Sequence, residues 1–223
     1  MSTPPKGRLA NIAILGGTGK EGAGLATRWA LAGHSIIIGS RDAERARSKA
    51  AELREITKKL PIVGHANAEA AELGDIVVIA LPALGLTTTL PEVAAACRGN
   101  VVISTVVPLT FGGPRLFTPP AAGSSAEEAQ ALLPGARVVA AFHHIAAHEL
   151  AEIDDAIHCD LLFCGQDAEA KETVAELGRS LGLRAIDAGG LSNAGPLEGI
   201  TAVLATINRR YKLKNSGITI TGL

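Results

Sequence analysis

The sequence predicts an α/β fold in which a mostly parallel, doubly wound sheet is covered by helices on both faces. Short runs rich in Ile and Val alternate with longer segments rich in Ala, Glu and Leu, and this alternation is typical of strands and their covering helices. The chain has 223 residues, 47% of them hydrophobic, which is enough to bury a large core.

The elements follow one another in βα order. Each apolar run is short enough for a strand, and helical periodicity follows most of them. Residues 105–123 are rich in Pro and Gly, which predicts an irregular loop of the kind that often frames a ligand. We predict strands at residues 11–15, 35–38, 61–66, 75–80, 100–104, 137–141, 160–164 and 184–187, and helices at 20–32, 42–58, 87–97, 167–181 and 194–212.

We place a domain boundary near Ile153. Residues 1–152 are predicted to form a nucleotide-binding domain, and residues 153–223 a smaller C-terminal α/β lobe.

The composition of the chain excludes some classes of binding partner. The formal net charge of −1, with acids and bases interspersed, gives no overall attraction to nucleic acid or to anionic membranes, so a small-molecule ligand is expected. The first residues lack the apolar stretch of a signal peptide, and no later run is long enough for a membrane span, which indicates a cytoplasmic protein. Cys97, Cys159 and Cys164 stand among apolar neighbours and are interpreted as buried, reduced thiols.

A glycine-rich loop joins the first strand to the first helix. Gly17, Gly19 and Gly22 match the GxGxxG pattern, in which the glycines allow a tight turn, a close approach to a pyrophosphate and close helix packing. The helix N-terminus supplies free N–H groups for the anion. The sheet is therefore predicted to be of Rossmann type, with the cofactor held by Gly17, Thr18, Gly19, Lys20, Glu21 and Gly22.

The end of the second strand favours NADP over NAD. An NAD enzyme carries an Asp or Glu there for the ribose 2′-hydroxyl, whereas this chain has Ser40 and Arg41, with Arg45 one helical turn later. A hydroxyl and two guanidinium groups suit a 2′-phosphate. The alternative is that both arginines are solvated residues of a helix start, with Asp42 and Glu44 as their local partners.

Three further segments follow strands at the same edge of the sheet. Leu81 and Pro82 are expected to line the ribose or nicotinamide, although an ordinary turn would have the same pattern. Val106, Val107 and Pro108 would form an apolar wall for the nicotinamide.

The third segment contains His143, His144, Ile145 and His148, and it could present a histidine and an aliphatic side chain to a second ring. A metal site on His144 and His148, or a purely structural role for the histidines, is the competing interpretation. The chain has no Tyr-x-x-x-Lys pair of the kind that moves an alcohol proton, and its single Tyr211 lies in a basic run.

Five segments resemble the NADPH-dependent reductases of the deazaflavin coenzyme F420. They are residues 14–19, 39–41, 106–108, 143–145 and 187–193, and the similarity covers nearly the whole chain. Two departures are the absence of a bulky aromatic after Pro82 and the proline-rich stretch at residues 110–123.

The resemblance implies that Thr18, Ser40, Arg41 and Arg45 hold NADP, and that His143 and Ile145 lie beside the deazaflavin where it stacks on the nicotinamide. It also implies a homodimer, in which the C-terminal lobe completes the deazaflavin site and supplies the dimer surface. Hydride passes directly between the two rings, so no protein nucleophile is required and His143 orients the ring or handles a proton.

The leading hypothesis is therefore an NADP-linked F420 oxidoreductase that binds no metal. The alternatives are an NADPH-dependent reductase of a flavin, a ferric chelate or an imine, and a non-catalytic NADPH-binding sensor module.

Overall fold

Residues 9–223 are described by the computed structural model, and their strands belong to a single eight-stranded sheet. The strands are β1 (Asn11–Leu15), β2 (Ser35–Ser40), β3 (Ile62–Ala66), β4 (Ile76–Ile79), β5 (Val101–Ser104), β6 (Arg137–Ala140), β7 (Leu161–Gly165) and β8 (Ala185–Asp187). Their order is β3-β2-β1-β4-β5-β6-β7-β8, and only β6 and β7 pair in antiparallel fashion. The predicted fold class is confirmed, and the order in which strands are added to the sheet reverses between β1 and β4, which are parallel, at the point where Rossmann sheets bind their ligands.

Helices connect the strands and cover both faces. They are α1 (Lys20–Leu31), α2 (Ala43–Ile56), α3 (Asn67–Leu73), α4 (Leu86–Val93), α5 (Ser125–Leu132), α6 (Ala147–Ala151), α7 (Ala168–Ser180) and α8 (Ala194–Tyr211), with 3-10 turns at Ala83–Gly85 and Leu191–Asn193. Helices α3, α5 and α6, of seven, eight and five residues, were not predicted, because their short segments show little helical period. Helix α4 is also eight residues long, but it was predicted from the longer pattern of residues 87–97.

The core lies on the two faces of the sheet. Strand β1 shows the division, since Ile12 and Ile14 join one apolar cluster while Ala13 and Leu15 join the other. Trp29 of α1 is fully buried in the first cluster. The strands are thus apolar on both sides, as expected for a central parallel sheet.

The C-terminal segment adds β7 and β8 to the same sheet, and the boundary near Ile153 falls between α6 and β7. Its division into a separate lobe stays a prediction.

Residues 1–8, on which the expectation about targeting depends, lie outside the described residues. Among the helices of residues 9–223, none combines the length and the hydropathy that a membrane crossing requires.

Candidate cofactor site

The phosphate loop, residues 16–22, turns sharply from β1 into α1. Gly16 has a φ of +78°, and the amide of Gly17 donates to the carbonyl of Ile14 at 3.0 Å. Helix α1 begins at Lys20, and no side chain within residues 9–223 caps its first turn. The N–H groups of that turn are therefore available to an anion.

Two glycines of this loop permit contacts that a side chain would block. A Cβ on Gly17 would lie 2.9 Å from the carbonyl oxygen of Ile14. A Cβ on Gly22 would lie 2.8 Å from the Cα of Gly17, so the third glycine lets α1 pack directly on the turn. These are the roles that the GxGxxG pattern predicts.

Two exposed arginines stand at the start of α2, and neither forms an ion pair within residues 9–223. They are Arg41 and Arg45. Their expected local partners are engaged elsewhere. Asp42 caps α2 by accepting from two backbone amides, and Glu44 pairs with Arg47 at 2.6 Å. The arginines therefore keep their hydrogen-bond donors free for a phosphate.

Ser40 completes this group at the end of β2. Its side chain is largely buried, and its hydroxyl oxygen accepts from the amide of Asp42 at 3.3 Å. The hydroxyl proton is still free to be donated, so Ser40, Arg41 and Arg45 together suit a 2′-phosphate. We call residues 16–22 and 40–45 the phosphate end.

The segments after β4 and β5 leave the sheet at the same edge as the phosphate loop, because β1, β4 and β5 are parallel. Leu81 is partly exposed, and its Cδ2 would be 3.0 Å from a Cβ on Gly16. Pro82 is exposed. After β5, Val107 and Pro108 are partly exposed, whereas Val106 is buried in the core. Of the three residues predicted to form an apolar wall, Val107 and Pro108 reach the surface and Val106 does not.

The histidine segment, residues 141–148, begins at the neighbouring end of β6. Phe142 has a φ of +65°, a strained conformation for a bulky residue, and its buried ring packs edge-on against Trp29 at 5.2 Å between centroids. The hydroxyl of Thr201 donates to the carbonyl of His143 at 3.0 Å. Core packing and α8 thus hold a turn that the backbone alone would not favour.

The two adjacent histidines of this segment are both buried. Neither ring nitrogen of His143 has a hydrogen-bond partner among residues 9–223. Burial, together with neighbouring His144, lowers the pKa of His143 to about 3, so its ring is neutral at physiological pH. Nε2 of His144 lies 2.8 Å from the carbonyl oxygen of Asp160, which can only accept, so that nitrogen carries the proton. Ile145 is also buried.

The histidines do not form the helical pair that a metal site would require. His144 precedes α6, whereas His148 lies within it, is exposed, and faces Glu152 at 3.8 Å. Within residues 9–223, no group of three or more His, Cys, Asp or Glu side chains is placed to hold a metal ion. All three cysteines are buried and free, as predicted, and burial raises the pKa of each thiol.

Sequence reasoning missed Arg28, which fixes the position of α6. Its guanidinium group donates to the carbonyl oxygens of four residues, Glu149, Leu150, Glu152 and Asp155, at 2.7 to 3.1 Å. The phosphate loop and the histidine segment are therefore joined through α1. No local sequence signal indicates this contact, because the partners are about 120 residues apart.

Glu198 was missed as well. This buried carboxylate of α8 accepts from the amides of Ser125 and Ala126 at 3.0 and 3.1 Å, and so caps α5 where the irregular loop of residues 105–123 ends. Burial raises the pKa of Glu198 to about 7.

Lys20 and Glu21, two further residues of the predicted phosphate loop, have different surroundings. Lys20 is exposed and lines a cleft of ≈ 580 Å³ between α1, α2 and α6, together with His148. The Oε1 atom of Glu21 is inaccessible to solvent and has no hydrogen-bond partner among residues 9–223.

Comparison with known proteins agrees with this geometry. A family model described as "NADP oxidoreductase coenzyme F420-dependent" matches residues 11–108. An F420-dependent NADP reductase of Methanothermobacter marburgensis is 42% identical over 220 residues, which cover 95% of this chain and 98% of that protein. The chain belongs to the F420-dependent NADP reductase family. The F420-dependent NADP reductase of Methanocaldococcus jannaschii is 41% identical, with 95% of this chain and 98% of that protein covered.

A solved structure supports the assignment at the level of the fold. A protein of Arthrobacter sp. FB24, assigned as an F420-dependent NADP reductase, superimposes with a TM-score of 0.83 and 26% identity, over 96% of this chain and all of that one. The resemblance inferred from five sequence segments is therefore confirmed. The roles of individual residues of the F420-dependent NADP reductase site stay predictions.

Proposed function

We propose that the protein transfers a hydride between NADP(H) and the deazaflavin coenzyme F420. The observation that carries this proposal is the match, over nearly the whole chain, to reductases named for both cofactors. The activity is that of an NADP-dependent oxidoreductase.

The phosphate end holds NADP(H). The uncapped first turn of α1 receives the pyrophosphate, with Thr18, Gly19, Lys20 and Gly22 around it. Ser40, Arg41 and Arg45 bind the 2′-phosphate. The hydrogen-bond donors of these side chains have no partner within residues 9–223, so they are free to bond with this charged group. The partly exposed surface that follows β4 and β5 would hold the nicotinamide.

The histidine segment and the irregular loop would hold the second ring. Leu84 and Phe111, which follow β4 and β5, are 95% and 75% exposed and offer apolar surface for a planar ring. Leu84 stands close to the position where family resemblance leads us to expect an aromatic. The segment of residues 153–223 completes this side through α8, whose Thr201 holds His143.

Bound NADP(H) supplies the hydride chemistry, so the chain has only to orient two rings and exclude water between them. Neutral, buried His143 is suited to orientation rather than to general-acid catalysis, because with a pKa of about 3 its ring is not in the charged imidazolium form at neutral pH. Ile145 of the same segment is buried in the core.

We also propose a cytoplasmic homodimer. Exposed Val203 on α8, with Tyr211 and Leu213 at its end, provides apolar surface for a second copy of the chain.

The direct test mixes the purified protein with NADPH and oxidised F420 and follows the loss of the visible absorbance of F420. We expect turnover with F420 and much slower turnover with a flavin, a ferric chelate or a cyclic imine. Faster reduction of one of these acceptors would replace F420 as the second substrate. Tight NADPH binding with no oxidation by any acceptor would instead favour a sensor module.

A further inference from the structure

One face of helix α8 packs against the irregular loop of residues 105–123. Gly195, Glu198 and Gly199 are three and four residues apart on this helix, so they lie on the same side of it. A Cβ on Gly199 would be 3.6 Å from the ring of Phe117. A Cβ on Gly195 would be only 2.9 Å from the carbonyl oxygen of Gly123. The loop therefore lies directly on this face, most closely at Gly195.

Glu198 makes the polar contact between this face and the end of the loop. Its Oε2 atom accepts from the amide of Ser125 at 3.0 Å, and its Oε1 atom accepts from the amide of Ala126 at 3.1 Å. Glu198 is 1% exposed and forms no ion pair within residues 9–223. A buried carboxylate without a cation depends on such hydrogen bonds, so the two bonds fix the end of the loop relative to α8.

The attachment extends to the part of the loop that is proposed to contact the cofactors. Leu109 and Phe117 pair across the loop in an antiparallel bridge, and the amide of Thr110 donates to the carbonyl of Leu116 at 2.8 Å. Exposed Phe111 lies at the tip of the hairpin that these contacts form. Because Phe117 packs beside α8, a shift of its limb away from the helix would also move the opposite limb, which continues from the proposed nicotinamide wall.

Helix α8 holds the histidine segment as well. Thr201, three residues after Glu198, donates to the carbonyl of His143 at 3.0 Å. The two segments that are proposed to hold the second ring are thus attached to the same helix within one turn. Their separation is therefore set by α8 rather than by either segment alone.

We propose that Glu198 is a positioning residue for hydride transfer, which holds the irregular loop at a fixed distance from the histidine segment so that the two rings stack. Glu198 acts through the backbone at the start of α5 and touches neither ring. Hydride transfer needs its reacting atoms roughly 3 to 3.5 Å apart, so a small shift of one segment slows the reaction. The inference rests on the proposed transfer between NADP(H) and F420.

The first test is Glu198→Gln, which keeps the size of the side chain but replaces one acceptor oxygen with a donor that opposes a backbone N–H. Measurements are made at about pH 8, where the carboxyl group of Glu198, with a pKa of about 7, is mostly ionised. Hydrogen exchange of the Thr110 amide, followed by NMR, should be about tenfold faster or more. Single-turnover hydride transfer from NADPH to F420 should be about tenfold slower or more, with the dissociation constant of NADPH within about twofold of wild type.

Ser124→Ala is the matched control. The Ser124 hydroxyl caps the same helix α5 by accepting from the amide of Glu127 at 3.0 Å, and its removal leaves both bonds of Glu198 in place. Exchange should become faster in the first turn of α5, whereas Thr110 exchange and hydride transfer should stay within about twofold of wild type. A merely structural role of Glu198 would lower the melting temperature of both variants and leave these two rates unchanged.

Gly195→Ala moves the loop away from α8 without changing a charge. Its Cβ would meet the backbone of Gly123, which cannot rotate aside, and alanine is favoured within a helix, so the fold should persist. We expect faster exchange at Thr110 and slower hydride transfer, as in the first variant. Gly199→Ala is its control, because a Cβ there meets the Phe117 ring at an ordinary contact distance and both rates should match wild type.

Wild-type exchange at Thr110 in both Glu198→Gln and Gly195→Ala would overturn the proposal, because the loop would then not depend on α8. Faster exchange with unchanged hydride transfer would overturn it as well, since the position of the loop would not affect the reaction. A wild-type protein that does not reduce F420 would contradict the proposed function. Exchange at Thr110 would still decide whether Glu198 holds the loop.

Discussion

The phosphate end and the histidine segment occupy the same edge of the sheet but are built in opposite ways. The features of the phosphate end are local: its glycines determine the backbone shape, and its candidate hydrogen-bond donors are buried Ser40 and two exposed arginines, each within a few residues of a strand end. The histidine segment is buried, and its turn depends on Trp29, Arg28 and Thr201, which come from other parts of the chain.

This difference indicates how each region can be changed. A site made of exposed donors should lose affinity when one donor is removed while the fold persists. A site made of buried, long-range contacts should respond through stability. Gly17 and Gly22 are the exception at the phosphate end, because their close contacts serve both nucleotide binding and the packing of the fold.

The largest expected effect comes from Gly22→Ala, which tests that exception. The added Cβ would meet backbone atoms of Gly17 and Gly16 at 2.8 and 3.1 Å, and backbone cannot move aside without opening the turn. We expect a loss of about 2 to 3 kcal/mol in the free energy of unfolding, and NADPH binding roughly 100-fold weaker. Denaturant unfolding and fluorescence titration measure the two effects.

Gly85→Ala is the matched control. A Cβ on Gly85 meets nothing within 4 Å and its φ of −90° suits alanine, so stability should change by less than about 0.5 kcal/mol. Wild-type NADPH affinity in Gly22→Ala would show that the loop tolerates a side chain and that the close contact is not needed for binding.

Arg41→Ala tests the opposite case, an exposed donor whose removal should not disturb the fold. Loss of a charge-assisted hydrogen bond to the 2′-phosphate should weaken NADPH binding by about 2 kcal/mol, roughly 30-fold, with NADH binding unchanged. The melting temperature should stay at its wild-type value.

Arg47→Ala provides the control for Arg41→Ala, because Arg47 lies on the same helix but is paired with Glu44. It should bind both nucleotides like wild type. Equal weakening of NADPH and NADH by Arg41→Ala would assign Arg41 to another part of the nucleotide.

The same difference between local features and long-range contacts determines which parts of the site could be predicted from the sequence. The GxGxxG glycines, Ser40 and Arg41 lie next to strand ends in sequence, so their arrangement was predictable from spacing and strand position, whereas their roles in nucleotide binding stay predictions. The sequence also indicated in part that Arg41 would not form an ion pair with Asp42, because Asp is a residue type that caps helices.

Other features depend on contacts that spacing does not encode. Phe142 adopts a positive φ while its ring packs against Trp29, and Val106 turns into the core although it follows a strand end. Each outcome is set by tertiary packing, which also joined the last two strands to the same sheet.

The smallest expected effect concerns stability in mild acid and tests whether the histidine segment is as dry as its packing indicates. The pKa of His143 is about 3 in the folded protein and near its ordinary value of 6.5 in the unfolded chain. As the pH falls below 6.5 the unfolded state binds a proton that the folded state does not, so stability decreases with falling pH. Between pH 7 and pH 5.5 wild type should lose about 1 kcal/mol more than His143→Gln, measured by denaturant unfolding. His148→Gln, which removes an exposed histidine, should follow wild type. An equal loss of stability in His143→Gln and wild type over this range would show that His143 can be protonated in the folded protein. The contrast between a histidine segment that excludes water and a solvated phosphate end would then not hold.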